Sequence, residues 1–126
     1  MPDPRVVLRH AFDPPPPGAS PRTRVLVDRG WPRGIRKQDL RVDVWARDLA
    51  PSAGLRRWFG HRPQCWDEFR RRYREELREA ERDRLLDELA RLAGQEPLTL
   101  LYSAKHRRYN QAVVIRDAIE ERLAAG

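Results

Sequence analysis

At 126 residues the chain falls where single domains are commonest, long enough to bury one core and too short for two. Its lone cysteine, Cys65, excludes an internal disulfide and any multi-cysteine zinc site, and no apolar run approaches the roughly 18 residues of a membrane span, so a soluble, cytoplasmic protein is expected, without a signal region or membrane contact. The formal charge of +7 invites a nucleic-acid reading, but the basic residues are nearly all arginine, with only Lys37 and Lys105 as lysines, and many alternate with glutamate as on a solvated helix face.

Residues 5–12 open with β-branched residues and are short, which predicts a first strand. Residues 13–23 carry five prolines, which fix φ and withhold donors, so a stiff, extended surface connector is expected. A second strand spans 24–28 and runs into Asp28-Arg-Gly-Trp-Pro-Arg-Gly34, a loop that Pro32 and Gly34 keep from continuing as helix or ladder. A short helical turn at 35–40 and a third strand at 42–46 follow.

Ser52 is suited to cap a short helix with Leu55, Trp58 and Phe59 on its apolar stripe, and Gly60 stops it. Pro63 opens the next helix, where Trp66, Phe69, Tyr73, Leu77 and Ala80 recur at steps of three and four. The stripe then changes phase to Leu85, Leu86, Leu89 and Leu92, so a break at 80–83 is expected, with Gly94 ending the second segment. Residues 98–102 are the most apolar run and predict a central strand. A polar loop at 103–110 and a closing helix with Ala112, Ile115, Ile119 and Leu123 facing inward complete the chain.

Strands separated by helices give an α/β fold: one small domain, residues 1–126, with a mostly parallel sheet of about four strands flanked by helices. In such sheets ligands bind outside the carboxyl ends of the strands. That rule puts the loops at 28–33, 48–52 and 103–110 on one rim holding Arg29, Arg33, Lys105 and His61, with Asp28 and Asp48 as counter-charges. Arginines there either clamp a phosphate or carboxylate or pair with the aspartates to lock the loops.

For catalysis, His61 is the acid-base candidate and Lys105 a base or amine nucleophile. Cys65 has no adjacent base, and His10, His61 and His106 lack metal-ligand spacing, so neither a metal site nor a cofactor is expected.

Four segments together carry a resemblance: 24–34, Trp45-x-x-Asp-Leu-Ala-Pro-Ser52, Leu55-Arg-Arg-Trp-Phe-Gly-His61 and Leu98-Thr-Leu-Leu-Tyr-Ser-Ala-Lys105. The sequence resembles the YeaO-like uncharacterised bacterial family, domain of unknown function 488, over essentially its whole length. The resemblance implies a compact α/β fold and no established reaction, and its polar motif residues fall on Asp28, Arg29, Arg33, Asp48, Ser52, His61, Lys105 and Asn110. Gly30, Arg62 and His106 depart from the family pattern, the last two making this rim more basic.

The expectation is therefore a basic strand-end pocket for a small phosphate- or carboxylate-bearing ligand, or an enzyme of unknown reaction built on it. Arg29 and Arg33 would clamp the anion, and Trp31 and Tyr102 would wall the pocket. Ser103 and Asn110 would join the contacts, with Asp28, Asp48 and Ser52 in support. Two alternatives stay open: a nucleic-acid-binding accessory protein, and a non-catalytic module that binds a partner through exposed aromatic surface. Oligomeric state is not read from the sequence.

Overall fold

A computed structural model describes residues 5–14 and 22–125. Of the expected proline-rich connector, residues 15–21 lie outside this description. Among the described residues, four strands form one parallel sheet: β1 (Val6–His10), β2 (Thr23–Leu26), β3 (Val44–Trp45) and β4 (Leu98–Tyr102), in the order β1-β4-β2-β3. The α/β class is as the sequence implies.

β4 is central because it is the strand with no polar alternation, and all five of its residues are buried. It pairs with β1 from Val6↔Leu98 to His10↔Tyr102, and with β2 from Thr23↔Leu98 to Leu26↔Leu101. Burying Leu98, Leu100 and Leu101 contributes about 1.5–3 kcal/mol each. β3 is shorter than the alternation at 42–46 suggests: two residues pair with β2, Val25↔Val44 and Leu26↔Trp45.

The helices are α1 (Ala53–Phe59), α2 (Trp66–Glu76), α3 (Ala80–Gln95) and α4 (Gln111–Ala125). All four contribute to one core, against Val6, Val25, Leu98 and Leu100 of the sheet. The opposite face, presenting Leu26 and Leu101, is covered instead by Leu40, Trp31, Ile35 and Val42 from the irregular chain after β2, and by Trp45 of β3.

Three helix boundaries have identifiable causes. Ser52 caps α1, its Oγ accepting from the Leu55 amide at 3.2 Å, and Gly60 ends it in the left-handed region at φ 52°. The chain breaks between α2 and α3 at residues 77–79, slightly earlier than expected, where Glu79 turns extended before Ala80. The expectation that Gly94 ends a helix is corrected: α3 runs on to Gln95 and stops because Pro97 holds Glu96 extended at φ −138° and ψ 145°.

Tyr73 fastens the helical layer to the strand-end loops. It is fully buried and its hydroxyl donates to the Leu49 carbonyl at 2.5 Å, while burial pushes its phenol far above its ordinary range. None of the described helices is long and apolar enough to cross a membrane.

Candidate functional site

Parallel strands deliver the loops after β1, β4 and β2 to the same end of the sheet as neighbours in its strand order. Val27 extends β2 by donating its amide to the Leu101 carbonyl at 3.0 Å, which brings Asp28 level with Ser103 at the end of β4. Asp28 is only 8% exposed. One of its oxygens accepts from the Ser103 amide at 3.0 Å and from the Ser103 hydroxyl at 2.5 Å, and the other accepts from Gln111 Nε2 at 2.6 Å. Burial pushes its carboxyl above the ordinary carboxylate range, against the pull of these three donors.

The following loop is tied down at its aromatic. Trp31 donates its indole N–H to the Ile35 carbonyl at 2.7 Å and meets Trp45 edge-on at 5.6 Å, while Trp45 donates to the Asp28 carbonyl at 2.8 Å. Pro32 is buried and Gly34 takes φ 88°, a left-handed turn that a side chain would strain. Trp31 and Pro32 anchor the loop immediately after Gly30. Arg29 and Arg33 are left exposed on either side of that anchor.

The β4 loop folds on itself before α4. His106 Nδ1 accepts from the Arg108 and Tyr109 amides, each at 3.2 Å, and its ring stacks on Tyr109 at 4.5 Å. Asn110 is 2% exposed; it donates to the His106 carbonyl at 2.9 Å and accepts from the Ala112 amide at 2.9 Å. Its amide therefore builds the loop and caps α4. Beyond α1, Gly60 and His61 are left-handed in succession, at φ 52° and 56°, and this reversal sets the exposed His61 at the rim.

These loops enclose a cleft of about 1030 Å³. It brings together Asp28, Arg29, Trp31, Arg33, His61, Ser103, Lys105 and Asn110, eight of the residues singled out from sequence. Three others lie elsewhere. Tyr102 is 3% exposed, with its ring edge-on to His10 at 5.4 Å, so it belongs to the core and not to the cleft wall. Asp48 is exposed on a 3-10 turn at Arg47–Leu49 and does not reach the cleft. Ser52 is taken up by its capping role and by Glu76, which accepts from the Ser52 amide at 2.8 Å and from its hydroxyl at 2.6 Å.

Phe12, Arg56 and Gln111 are among the lining residues that escaped the sequence reading. Gln111 was detectable as the first residue of the closing helix, directly after a loop already placed on the rim. Arg56 lies in the opening turns of α1. Phe12 carries no local signal beyond ending the first predicted strand.

The charges are unequal. Arg29, Arg33, Arg56 and Lys105 line the cleft, and among the described residues Asp28 is the one carboxylate that does so. Asp28 spends its oxygens on Ser103 and Gln111 and makes no ion pair with Arg29 or Arg33. The four cationic side chains make no hydrogen bond or ion pair with any described residue. The loop-locking alternative for Arg29 and Arg33 therefore finds no contact here. Cys65 is half-buried against the core and does not line the cleft.

Residues 5–126 match the family model described as the inactive DUF488-N3 subclade. The chain is 43% identical over 99 residues to the uncharacterized protein Rv3073c of Mycobacterium tuberculosis, covering 79% of this chain and 81% of that protein. It is 45% identical over 94 residues to the uncharacterized protein YeaO of Escherichia coli, covering 75% of this chain and 80% of that one. No solved structure matches the chain significantly.

Proposed function

For a chain that belongs to the YeaO-like DUF488 family, we propose that the strand-end cleft binds a small anionic ligand, phosphate- or carboxylate-bearing, through Arg29, Arg33, Arg56 and Lys105. One observation carries this reading: four cationic side chains without partners among the described residues share a cleft whose single described carboxylate is already engaged. Guanidinium groups offer paired donors that suit tetrahedral and planar oxyanions, and a bound oxyanion supplies the acceptors they lack.

The reading is binding without turnover. The Ser103 hydroxyl donates to Asp28 and not to a histidine base, and His61 stands exposed at the rim. The description of the matched subclade as inactive agrees with this. The lone, half-buried Cys65 supports a cytoplasmic setting.

The arginine excess gives the nucleic-acid alternative little separate support, because many arginines on α2, α3 and α4 are paired with carboxylates. The partner-binding alternative gains little from the tryptophans, since Trp66 is buried and Trp31, Trp45 and Trp58 are half-buried.

The test is a titration of the labelled protein with inorganic phosphate and with acetate, followed by amide NMR shifts. Shifts should concentrate at 29–34 and 103–106 and disappear in the Arg29→Ala/Arg33→Ala variant. Shifts spread over α2 and α3, or none at all, would overturn the proposal.

A further inference from the structure

We infer that the ligand of this cleft is a nucleotide, free or at the phosphorylated 5′ end of a strand, with its base on Phe12 and its phosphate on Arg29 and Arg33; this rests on the anion-binding reading above. Three observations lead there. Phe12 is 54% exposed, the single large hydrophobic side chain so exposed among the described residues, and it lies on the cleft. Its placement is held: His10 Nδ1 accepts the Phe12 amide at 3.2 Å, and the two rings sit 5.4 Å apart. The Phe12 ring also comes within 3.8 Å of where a side chain on Gly34 would begin. Gly34 follows Arg33 directly, and Phe12 and Arg33 both line the cleft.

Size is the second observation. A cleft of about 1030 Å³ is at the upper end of the roughly 300–1,000 Å³ typical of small-ligand sites, far more than a bare oxyanion fills. The third is the presence of acceptors beside the cations. Gln111 commits its Nε2 to Asp28, and its Oε1 accepts no hydrogen bond from a described residue. A carboxylate brings no donor for this oxygen, and a phosphate at most its own P–OH. Sugar hydroxyls or an exocyclic amine do, and a nucleotide carries ring, donors and phosphate in one molecule. Stacking on an aromatic side chain is tolerant of base identity, so no preference among bases is expected from Phe12.

The experiment compares adenosine monophosphate, inorganic phosphate, phenyl phosphate and a 5′-phosphorylated tetra-adenylate by NMR titration and calorimetry, on the wild type and on Phe12→Ala, Phe12→Leu and Arg33→Ala. The nucleotide should bind about 5- to 150-fold tighter than phosphate, the range one stacked base contributes. Both Phe12 variants should cut that ratio several-fold, and Arg33→Ala should weaken nucleotide and phosphate alike. Because Phe12 is exposed, both variants should keep the wild-type amide spectrum away from the cleft.

A nucleotide no tighter than phosphate, or a ratio indifferent to Phe12, overturns the inference and leaves the anion-binding reading standing. Phenyl phosphate binding as tightly as the nucleotide overturns it as well, since the acceptors then play no part. Binding of neither phosphate nor nucleotide overturns both readings. The tetra-adenylate assigns the source: tighter binding than the monophosphate supports a strand end, and equal or weaker binding supports the free nucleotide.

Discussion

The arginines of the helical layer and those of the cleft are chemically the same and do opposite things. On α2, Arg71 reaches Glu68 at 2.7 Å and Glu75 at 2.6 Å, and on α3, Arg84 reaches Glu81 at 2.8 Å and Glu88 at 2.7 Å. These partners sit three or four residues away, where the helical repeat brings side chains together. A strand-end loop has no such repeat. Its shape is set by Trp31, Pro32 and Gly34, and Arg29 and Arg33 project from it without partners among the described residues. A high arginine count thus says little about function until each guanidinium's partner is known.

Breaking the cleft side of this contrast should have the largest effect. Arg29→Ala with Arg33→Ala should weaken phosphate binding about a hundredfold, taking about 1.5 kcal/mol for each charge-assisted contact, with an unchanged denaturation midpoint. Calorimetry and a urea titration on the same sample check both halves. Next comes Asp28→Ala, which strands the Ser103 amide and hydroxyl and should cost about 1–3 kcal/mol of stability in chemical denaturation. Ser52→Ala removes the α1 cap and should cost about 1 kcal/mol while leaving phosphate affinity intact, since Ser52 is off the cleft. Smallest is Arg71→Ala on the helical face: its pairs are exposed, so neither midpoint nor affinity should move measurably.

Acid should separate the two regions by sign. Burial raises the Asp28 carboxyl above its ordinary 3.8, so the stability favouring its protonated form is complete below 3.8 and is lost as pH rises through the raised value. Hydrogen bonds from Arg71 and Arg72 lower Glu68 from 4.5 to about 2, so its contribution is complete above 4.5 and is lost as pH falls toward about 2. Denaturation midpoints across this range should lose the first slope in Asp28→Asn and change little in Glu68→Gln, whose exposed pairs are screened by solvent. Equal slopes in wild type and Asp28→Asn would show that the Asp28 carboxyl is not perturbed.

The fold was legible where a residue's chemistry acts locally. The unbroken apolar run at 98–102 announced a buried central strand, and Ser52 and Gly60 announced the limits of α1. Gly94 misled because its local preference is weak beside the packing of α3 on α4 and the constraint from Pro97. The site was legible through one topological rule, which placed Asp28, Arg33 and Lys105 together before any distance was known. What stayed hidden depended on side-chain direction. Tyr102 turns toward His10, Asp48 turns out to solvent, and Phe12 comes into the cleft from the far edge strand. None of these is encoded by spacing along the chain.

The strand order also fixes when the sheet can assemble. β1 and β2 never pair with each other; both wait for β4, whose first residue pairs with Val6 across 92 positions of chain (98 minus 6). Most of the protein must therefore leave the ribosome before its central strand exists, and until then β1 has no native strand partner and β2 has only the two residues of β3. Refolding should accordingly be slow for a domain of this length, and nascent chains stalled before Leu98 should be protease-sensitive throughout the β1 and β2 region.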